Sequence, residues 1–245
     1  MDIDLKIVAT RRPDLLGRTL ESFLTVGLRE FRVASATMNL DPALGSDDDA
    51  EACRAILRSH LPEATIHDPP TPSFGGAVKR LWMEAEDRPI FHLEDDWIAL
   101  APLPLDYVQK AFEDGYGAVT PLSKEHAWTK RGYEATRIKR IRVLGVKVWK
   151  HNTGVHSFGT SPKFIKGALA RRMGEVMNPD LDPEKQMGGG QIGEVVQSFR
   201  SVFVTRPRKR PIIEDIGRDW RADKGIEKQI VDGTSNWVKQ QVNDA

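Results

Sequence analysis

The sequence predicts an α/β protein with a mostly parallel sheet flanked by helices. Short apolar, β-branched runs alternate with amphipathic helical stretches through the first hundred residues, the pattern of a parallel sheet covered on its faces. The predicted strands end in clusters of polar and charged residues, where open α/β sheets place their ligands. A chain of 245 residues is also ample for such a core.

The elements follow in order. LKIVAT, residues 5–10, reads as a strand. In RRPDLLGRTLESFLTVG the apolar residues Leu15, Leu16, Leu20, Phe23 and Leu24, with Thr19, share one helical face; Pro13 suits the first turn and Gly27 the stop. FRVASATMNLDP is a second strand ending at Asn39 and Asp41, AEACRAILRSHLP a second helix stopped by Pro62, and ATIHDPP a weak strand. SFGGAVKRLWMEAE is a helix with a glycine-rich start, and RPIFHL is a strand with EDDW at its carboxyl end. The second half is less regular. GYGAVTPLS reads as a strand, TGVHSFGTSPKFIKGALARRM as a strand running into a helix, NPDLDPEKQMGGGQIGEVVQSFR as a proline-rich loop ending in a helix, and SVFVTRP as the last strand before a polar tail. No linker is evident, so one domain in two halves is expected, the first about residues 1–100 and the second about 101–245.

Lys and Arg total 36 against 35 Asp and Glu, a formal net charge of +1, so global charge points to neither a nucleic-acid binder nor a binder of acidic substrates. Cys53 is the only cysteine; this excludes a disulfide within the chain or a cysteine-based zinc site and fits a reducing compartment. MDIDLKIVAT lacks the basic and long apolar regions of a signal peptide, and no run approaches a membrane span. A cytoplasmic protein without membrane partners is expected.

Three adjacent carboxylates, Glu94, Asp95 and Asp96, repel one another increasingly as water is excluded. They suit a solvated turn, a helix start or a cation site. Their place at a strand end, alongside Thr10–Arg12 and Asn39–Asp41 at two others, favours one shared crevice. His92, in an apolar strand, reads as a core residue, and Trp97 as packing over the sheet edge.

These stretches together resemble a nucleotide-sugar glycosyltransferase of the GT-A fold, close to family 2. TRRPDLLGRTLESFL resembles that family's first strand–loop–helix, MNLDP the nucleotide-contacting end of its second strand, SFGGAVKRLWMEA the helix before its metal motif, and LEDDW a Glu-Asp-Asp form of its Asp-x-Asp motif. The resemblance covers about residues 3–100 and weakens towards 186. It implies a donor, most readily a UDP-sugar, held by Thr10, Arg11, Arg12, Asn39, Asp41, Glu94 and Asp95. It also implies a divalent Mn2+ or Mg2+ ion on Asp96, the hard oxygen ligand such ions prefer. In IIEDIGRDWR, Asp215 is a second metal candidate where the family commonly supplies a late His, and Arg218 and Arg221 are phosphate candidates; a surface salt-bridge helix is the plainer reading. An inverting enzyme needs a carboxylate base well downstream. LDPEKQ offers Glu184, preferred, and Asp182, whose alternative is to cap the helix begun at Pro183. The Gly188–Gly190 run suggests a mobile loop.

Two other classes compete. A nucleotidyltransferase would carry a glycine-rich loop after its first strand, and Thr10-Arg11-Arg12-Pro13 has none. A binding protein with a decayed site would not need acids at both the metal and base positions. For the acceptor, the basic stretch 124–150, with Trp128, Tyr133 and Trp149, and the cluster Arg206, Arg208, Lys209 and Arg210 fit either a solvated face or nucleic acid. The build resembles phage glycosyltransferases that decorate hydroxymethylated DNA bases, which makes DNA one expected acceptor; a saccharide or protein is another.

Overall fold

The computed structural model describes residues 1–124, 136–143, 146–205, 210–231 and 234–239. The first half alternates as the sequence predicts: β1 (Asp2–Thr10), α1 (Pro13–Ser22), β2 (Arg32–Asp41), α2 (Asp47–His60), β3 (Thr65–His67), α3 (Phe74–Met83) and β4 (Ile90–Glu94). Local sequence chemistry sets these elements. Pro13 opens α1, whose buried face is Leu15, Leu16, Thr19 and Leu20. A π-type segment, Phe23–Gly27, then carries the chain out of α1. Ser46 and Asp49 form a reciprocal capping box on α2, so that helix starts earlier than its apolar face suggests, with Asp47, Asp48 and Asp49 in the favourable first turn.

Beyond β4 the chain forms β5 (Trp97–Ala99), α4 (Leu105–Glu113), β6 (Ala118–Pro121), β7 (Thr136–Val143), β8 (Val146–His156), β9 (Lys163–Ile165), α5 (Gly167–Val176), α6 (Pro183–Gln186), α7 (Gly190–Gln197) and β10 (Ser201–Val204). β10 is not the last strand: β11 (Ile213–Asp215), α8 (Gly217–Asp223) and the hairpin β12 (Ile226–Val231) and β13 (Thr234–Lys239) follow where a polar tail is expected. β11, β12 and β13 are three to six residues long and mostly polar, too short and uneven for periodicity to reveal. The basic positions Lys130, Arg131, Arg206, Arg208 and Lys209, with Trp128 and Tyr133, lie outside the described residues.

The central sheet has seven strands in the order β10-β6-β9-β4-β1-β2-β3. β1 pairs parallel with both β2 and β4, so the chain winds outwards on one side to β3 and then returns to the other side of β1. That reversal opens a crevice at the carboxyl ends of β1 and β4. β9 breaks the parallel pattern, running antiparallel between β4 and β6. Side chains alternate across the strands. Ile3, Leu5, Ile7 and Ala9 of β1 and Phe91 and Leu93 of β4 join a core with α1, α2 and α4, including Leu16, Leu20, Phe23, Cys53, Leu57 and Val108. The opposite face packs Val78, Leu81 and Trp82 of α3 against Ala170 and Met173 of α5 and Val195 and Val196 of α7. His92 belongs to this second face: fully buried, its Nδ1 accepts a hydrogen bond from Trp82 Nε1 at 3.1 Å, and burial, aided by the charge of Lys163, pushes the imidazole down to about 3. It is therefore a neutral core histidine. Among the described residues, no helix is long and apolar enough to cross a membrane.

Candidate active site

The site is built on Asp95. β4 ends at Glu94, and the backbone N–H of Asp95 donates to the Val8 carbonyl of β1 at 3.0 Å, so the acidic turn stays tied to the sheet. Its carboxylate accepts from the Thr10 N–H (2.9 Å), the Thr10 hydroxyl (3.3 Å) and the Arg12 side chain, with Nη2 at 2.5 Å and Nε at 3.4 Å. The Asp95 carbonyl accepts from Thr19 Oγ1 at 2.8 Å. Asp95 and Arg12 are 2% and 5% exposed, so this pair is desolvated and its geometry must satisfy both charges. Burial alone would weaken the Arg12 charge, but Asp95 and Asp96 outweigh it and hold the guanidinium firmly protonated. Arg12 also lies under the Trp220 ring, 5.4 Å from its centroid, while Trp220 Nε1 donates to Asp14 at 2.8 Å. The Arg12 Nη1 is buried with no hydrogen-bond partner among the described residues.

Asp96 is held by the far end of the chain. β5 pairs antiparallel with β11, Trp97 opposite Asp215, and the Ile216 N–H donates to the Asp96 carbonyl at 2.9 Å. Oδ2 of Asp96 meets Arg12 Nη2 at 3.3 Å and Arg221 Nη1 at 3.4 Å. Burial raises the Asp96 carboxyl to about 6; the nearby charges of Asp95 and Asp215 push the same way, against Arg12 and Arg221. Asp215 caps the start of α8, accepting from the Gly217 N–H at 2.9 Å and the Arg218 N–H at 3.3 Å, and pairs with Arg218 Nε at 2.9 Å. Trp97 packs into the core with one edge on the cavity wall, and its Nε1 donates to Glu94 Oε2 at 3.3 Å. Burial, then the charges of Asp96 and Glu184, raise the Glu94 carboxyl to about 8, and its Oε1 is buried without a hydrogen-bond partner among the described residues.

Asp182 and Glu184 approach from α6. The Asp182 carboxylate is buried and accepts from the backbone N–H groups of Glu184 (2.9 Å) and Lys185 (3.4 Å), which makes it the helix cap. Glu184 Oε1 accepts from the Thr160 N–H at 3.4 Å and the Thr160 hydroxyl at 3.3 Å. Gly75, in the first turn of α3, lets the carbonyls of Pro179 and Leu181 close against that helix, where any Cβ would collide with them. All this encloses one cavity of about 760 Å³, lined by Thr10 and Arg12, by Asp41 and Ser73, by Glu94–Trp97, by Pro179–Asp182 and Glu184, and by Asp215, Arg218 and Arg221.

No known family profile and no curated protein matches the sequence. Solved structures do match the fold. S. aureus TarS 1-349 superposes with a TM-score of 0.56 at 12% identity, over 89% of this chain and 61% of that one. The mannosyltransferase PcManGT from Pyrobaculum calidifontis, in complex with GDP-Man and Mn2+, gives a TM-score of 0.56 at 12% identity over 91% and 60%. GalNAc-T7 with UDP, GalNAc and Mn2+ gives 0.56 at 10% identity over 87% and 43%. The chain has the GT-A glycosyltransferase fold. It spans about three-fifths of the length of the first two structures.

Within this GT-A frame the expected site residues divide. Thr10, Arg12, Asp41, Glu94, Asp95, Asp96, Asp182, Glu184, Asp215 and Arg218 line the cavity; Arg11 and Asn39 do not. Arg11 turns to Asp47 of α2, Nη1 to Oδ1 at 2.8 Å, and the fully buried Asn39 side chain accepts from Arg80 of α3. Arg11 is turned away beside its loop neighbour Arg12, whereas Asn39 shares the face of Asp41 but lies one pleat deeper in β2, under α3. Asp41 instead accepts from the backbone of Ser73 at 2.7 Å and Ala43 at 2.9 Å, and burial raises its carboxyl. Sequence reasoning missed Ser73, Thr160 and Trp220; a serine before Gly75–Gly76 is the one signal that was readable, as the cap of α3.

Among the described residues no group of three or more His, Cys, Asp or Glu gathers to hold a metal ion. Asp96 and Asp215 nevertheless fit one in the manner of Mg2+ or Mn2+ sites that use one or two carboxylates and draw further oxygens from a phosphate substrate.

A Cβ on Gly217 would run into the Asp96 carboxylate. Gly217→Ala is therefore expected to destabilise the protein by about 1–3 kcal/mol, the usual cost of overpacking, in chemical denaturation. Unchanged stability would show that Asp96 and α8 can part freely.

Proposed function

We propose that the protein is a metal-dependent, inverting glycosyltransferase that moves a sugar from a nucleotide-sugar, a UDP-sugar foremost, to an acceptor hydroxyl. The carrying observation is that Asp96 and Glu184, a metal-type and a base-type carboxylate from distant segments, line the same cavity at the carboxyl ends of β1 and β4. That UDP or GDP-Man, with Mn2+, accompanies the same fold in GalNAc-T7 and PcManGT supports the donor class.

In this reading Asp41, Ser73 and Thr10 border the nucleoside, and Arg12, Arg218 and Arg221 face the diphosphate. The unpartnered Arg12 Nη1 is a donor already desolvated for a phosphate oxygen. Asp96 and Asp215 would hold the metal, which when bound would supply positive charge for the departing diphosphate. The acceptor oxygen bonds to the anomeric carbon as the bond from that carbon to the phosphate oxygen breaks. The acceptor proton passes to Glu184, and the nucleoside diphosphate leaves with the bonding electron pair. Asp182 supports Glu184 by capping α6 and is not itself the base. Asp95 organises Arg12 and Thr10 rather than reaching the donor.

The test is a panel of nucleotide-sugars with Mn2+, read as release of nucleoside diphosphate. Pyrophosphate release from a nucleoside triphosphate would instead indicate a nucleotidyltransferase, and silence in both a binding protein. Asp96→Asn should leave the circular dichroism spectrum intact and nearly abolish turnover, as should chelation, with Mn2+ or Mg2+ restoring the wild type. Wild-type activity in Asp96→Asn would remove Asp96 from the metal site.

Glu184→Gln should lower kcat by about 10²–10⁴-fold, the range for a lost general base, with donor KM little changed. Asp182→Asn should cost far less, because Asn caps helices as well as Asp does. The reverse ranking would make Asp182 the base.

For the acceptor, a hydroxymethylated DNA base is supported by sequence pattern alone, the basic residues of 124–150 and 206–210. If it is the substrate, labelled sugar should pass to hydroxymethylcytosine DNA and not to unmodified DNA, with binding that weakens steeply as salt rises. A protein active on other hydroxyls that never labels DNA would leave those residues as a solvated face.

A further inference from the structure

Arg12 uses its guanidinium unevenly. Nε meets Asp95 Oδ2 at 3.4 Å, and Nη2 meets Asp95 Oδ1 at 2.5 Å and Asp96 Oδ2 at 3.3 Å. Nη1 is buried with no hydrogen-bond partner among the described residues, yet Arg12 lines the cavity. A guanidinium donates only in its own plane, as a rigid fork. With Nε and Nη2 committed, the tilt of that plane decides where Nη1 points.

One face of the plane is covered by Trp220, whose ring centroid lies 5.4 Å from Arg12 Cζ. A ring there attracts the cation and keeps competing acceptors off that face. Trp220 is itself held: its Nε1 donates to Asp14 Oδ2 at 2.8 Å, a contact from α8 to the first turn of α1 that spans 206 positions of sequence. At the start of α8 the Ile216 N–H donates to the Asp96 carbonyl at 2.9 Å. The helix is thus pinned to the two segments that Arg12 itself joins, the start of α1 and the acidic turn. Arg218 and Arg221 of the same helix line the cavity, and Trp220 does not.

We propose that Trp220 is a positioning residue for Arg12: its ring, tethered by Asp14, sets the plane of the guanidinium so that Nη1 faces a phosphate oxygen of a nucleoside diphosphate, while touching no ligand itself. The proposal rests on the glycosyltransferase reading and gives α8 a second task besides carrying Arg218 and Arg221.

Three variants test it. Trp220→Leu removes the ring, Trp220→Phe keeps a ring and removes the tether, and Asp14→Ala removes the tether from the other side. Dissociation constants are measured for UDP and GDP with Mn2+ by calorimetric titration, and for uridine and guanosine by displacement, with the base that the wild type binds carried forward. Trp220→Leu should weaken the nucleoside diphosphate about three- to tenfold, from loss of a desolvated cation–π contact, and leave the nucleoside within about twofold. Trp220→Phe and Asp14→Ala should each weaken the diphosphate by a smaller and similar factor, and the double variant should bind no worse than either alone. If Trp220→Leu does not fold, that cycle decides. Equal losses for nucleoside and diphosphate, which a merely structural role would give, would overturn the proposal; so would unchanged affinity, or Phe and Ala losses that multiply. Any of these in a wild type that binds and turns over a donor leaves the glycosyltransferase reading standing. A wild type that binds neither UDP nor GDP and releases no nucleoside diphosphate overturns that reading, and this inference with it.

Discussion

The buried pair of Arg12 and Asp95 is the constraint on which the site depends. Each is almost wholly enclosed, so neither can lose its partner without leaving an uncompensated charge in the interior. The pair fixes three things at once. It joins the end of β4 to the loop after β1, it aims Arg12 towards Asp96, and it consumes the one carboxylate of the acidic triplet that could otherwise compete for a ligand. Three consecutive acids thereby cease to be equivalent: Asp95 is structural, Asp96 shares two arginines, and Glu94 is enclosed beside Trp97 and Thr160.

The distribution of charge around the cavity follows from that division. Carboxylates come from the ends of β2, β4 and β11 and from the segment around α6, and guanidinium groups from the α1 entrance and α8. In the proposed reading, a nucleoside diphosphate would bring negative charge towards Arg12, Arg218 and Arg221, and an acceptor hydroxyl would meet Glu184 beside Thr160.

Most of the first half was legible: β1 and β4 are apolar runs buried along nearly their whole length, and α1 and α3 carry buried stripes. The crevice was legible for the same reason, since strand ends can be placed without knowing any contact. What could not be read was pairing at a distance. Nothing local announces that β9 will insert antiparallel between β4 and β6, or that Asp215 will come to lie opposite Trp97. Nor does sequence tell which loop side chain turns into the cavity, or how deep along a strand the cavity reaches, which is how Arg11 and Asn39 were grouped with Arg12 and Asp41. α4 escaped because it is short and follows a proline-rich segment that reads as loop.

The short ladder between β5 and β11 ties Asp96 to residues more than a hundred positions later in the chain. A ribosome releases the first half of the sheet long before it releases that strap, and domains begin to organise as they emerge. The growing polypeptide thus holds an acidic turn whose partners Asp215, Arg218 and Arg221 are still unmade. Completion of the cavity wall becomes a late event in biogenesis.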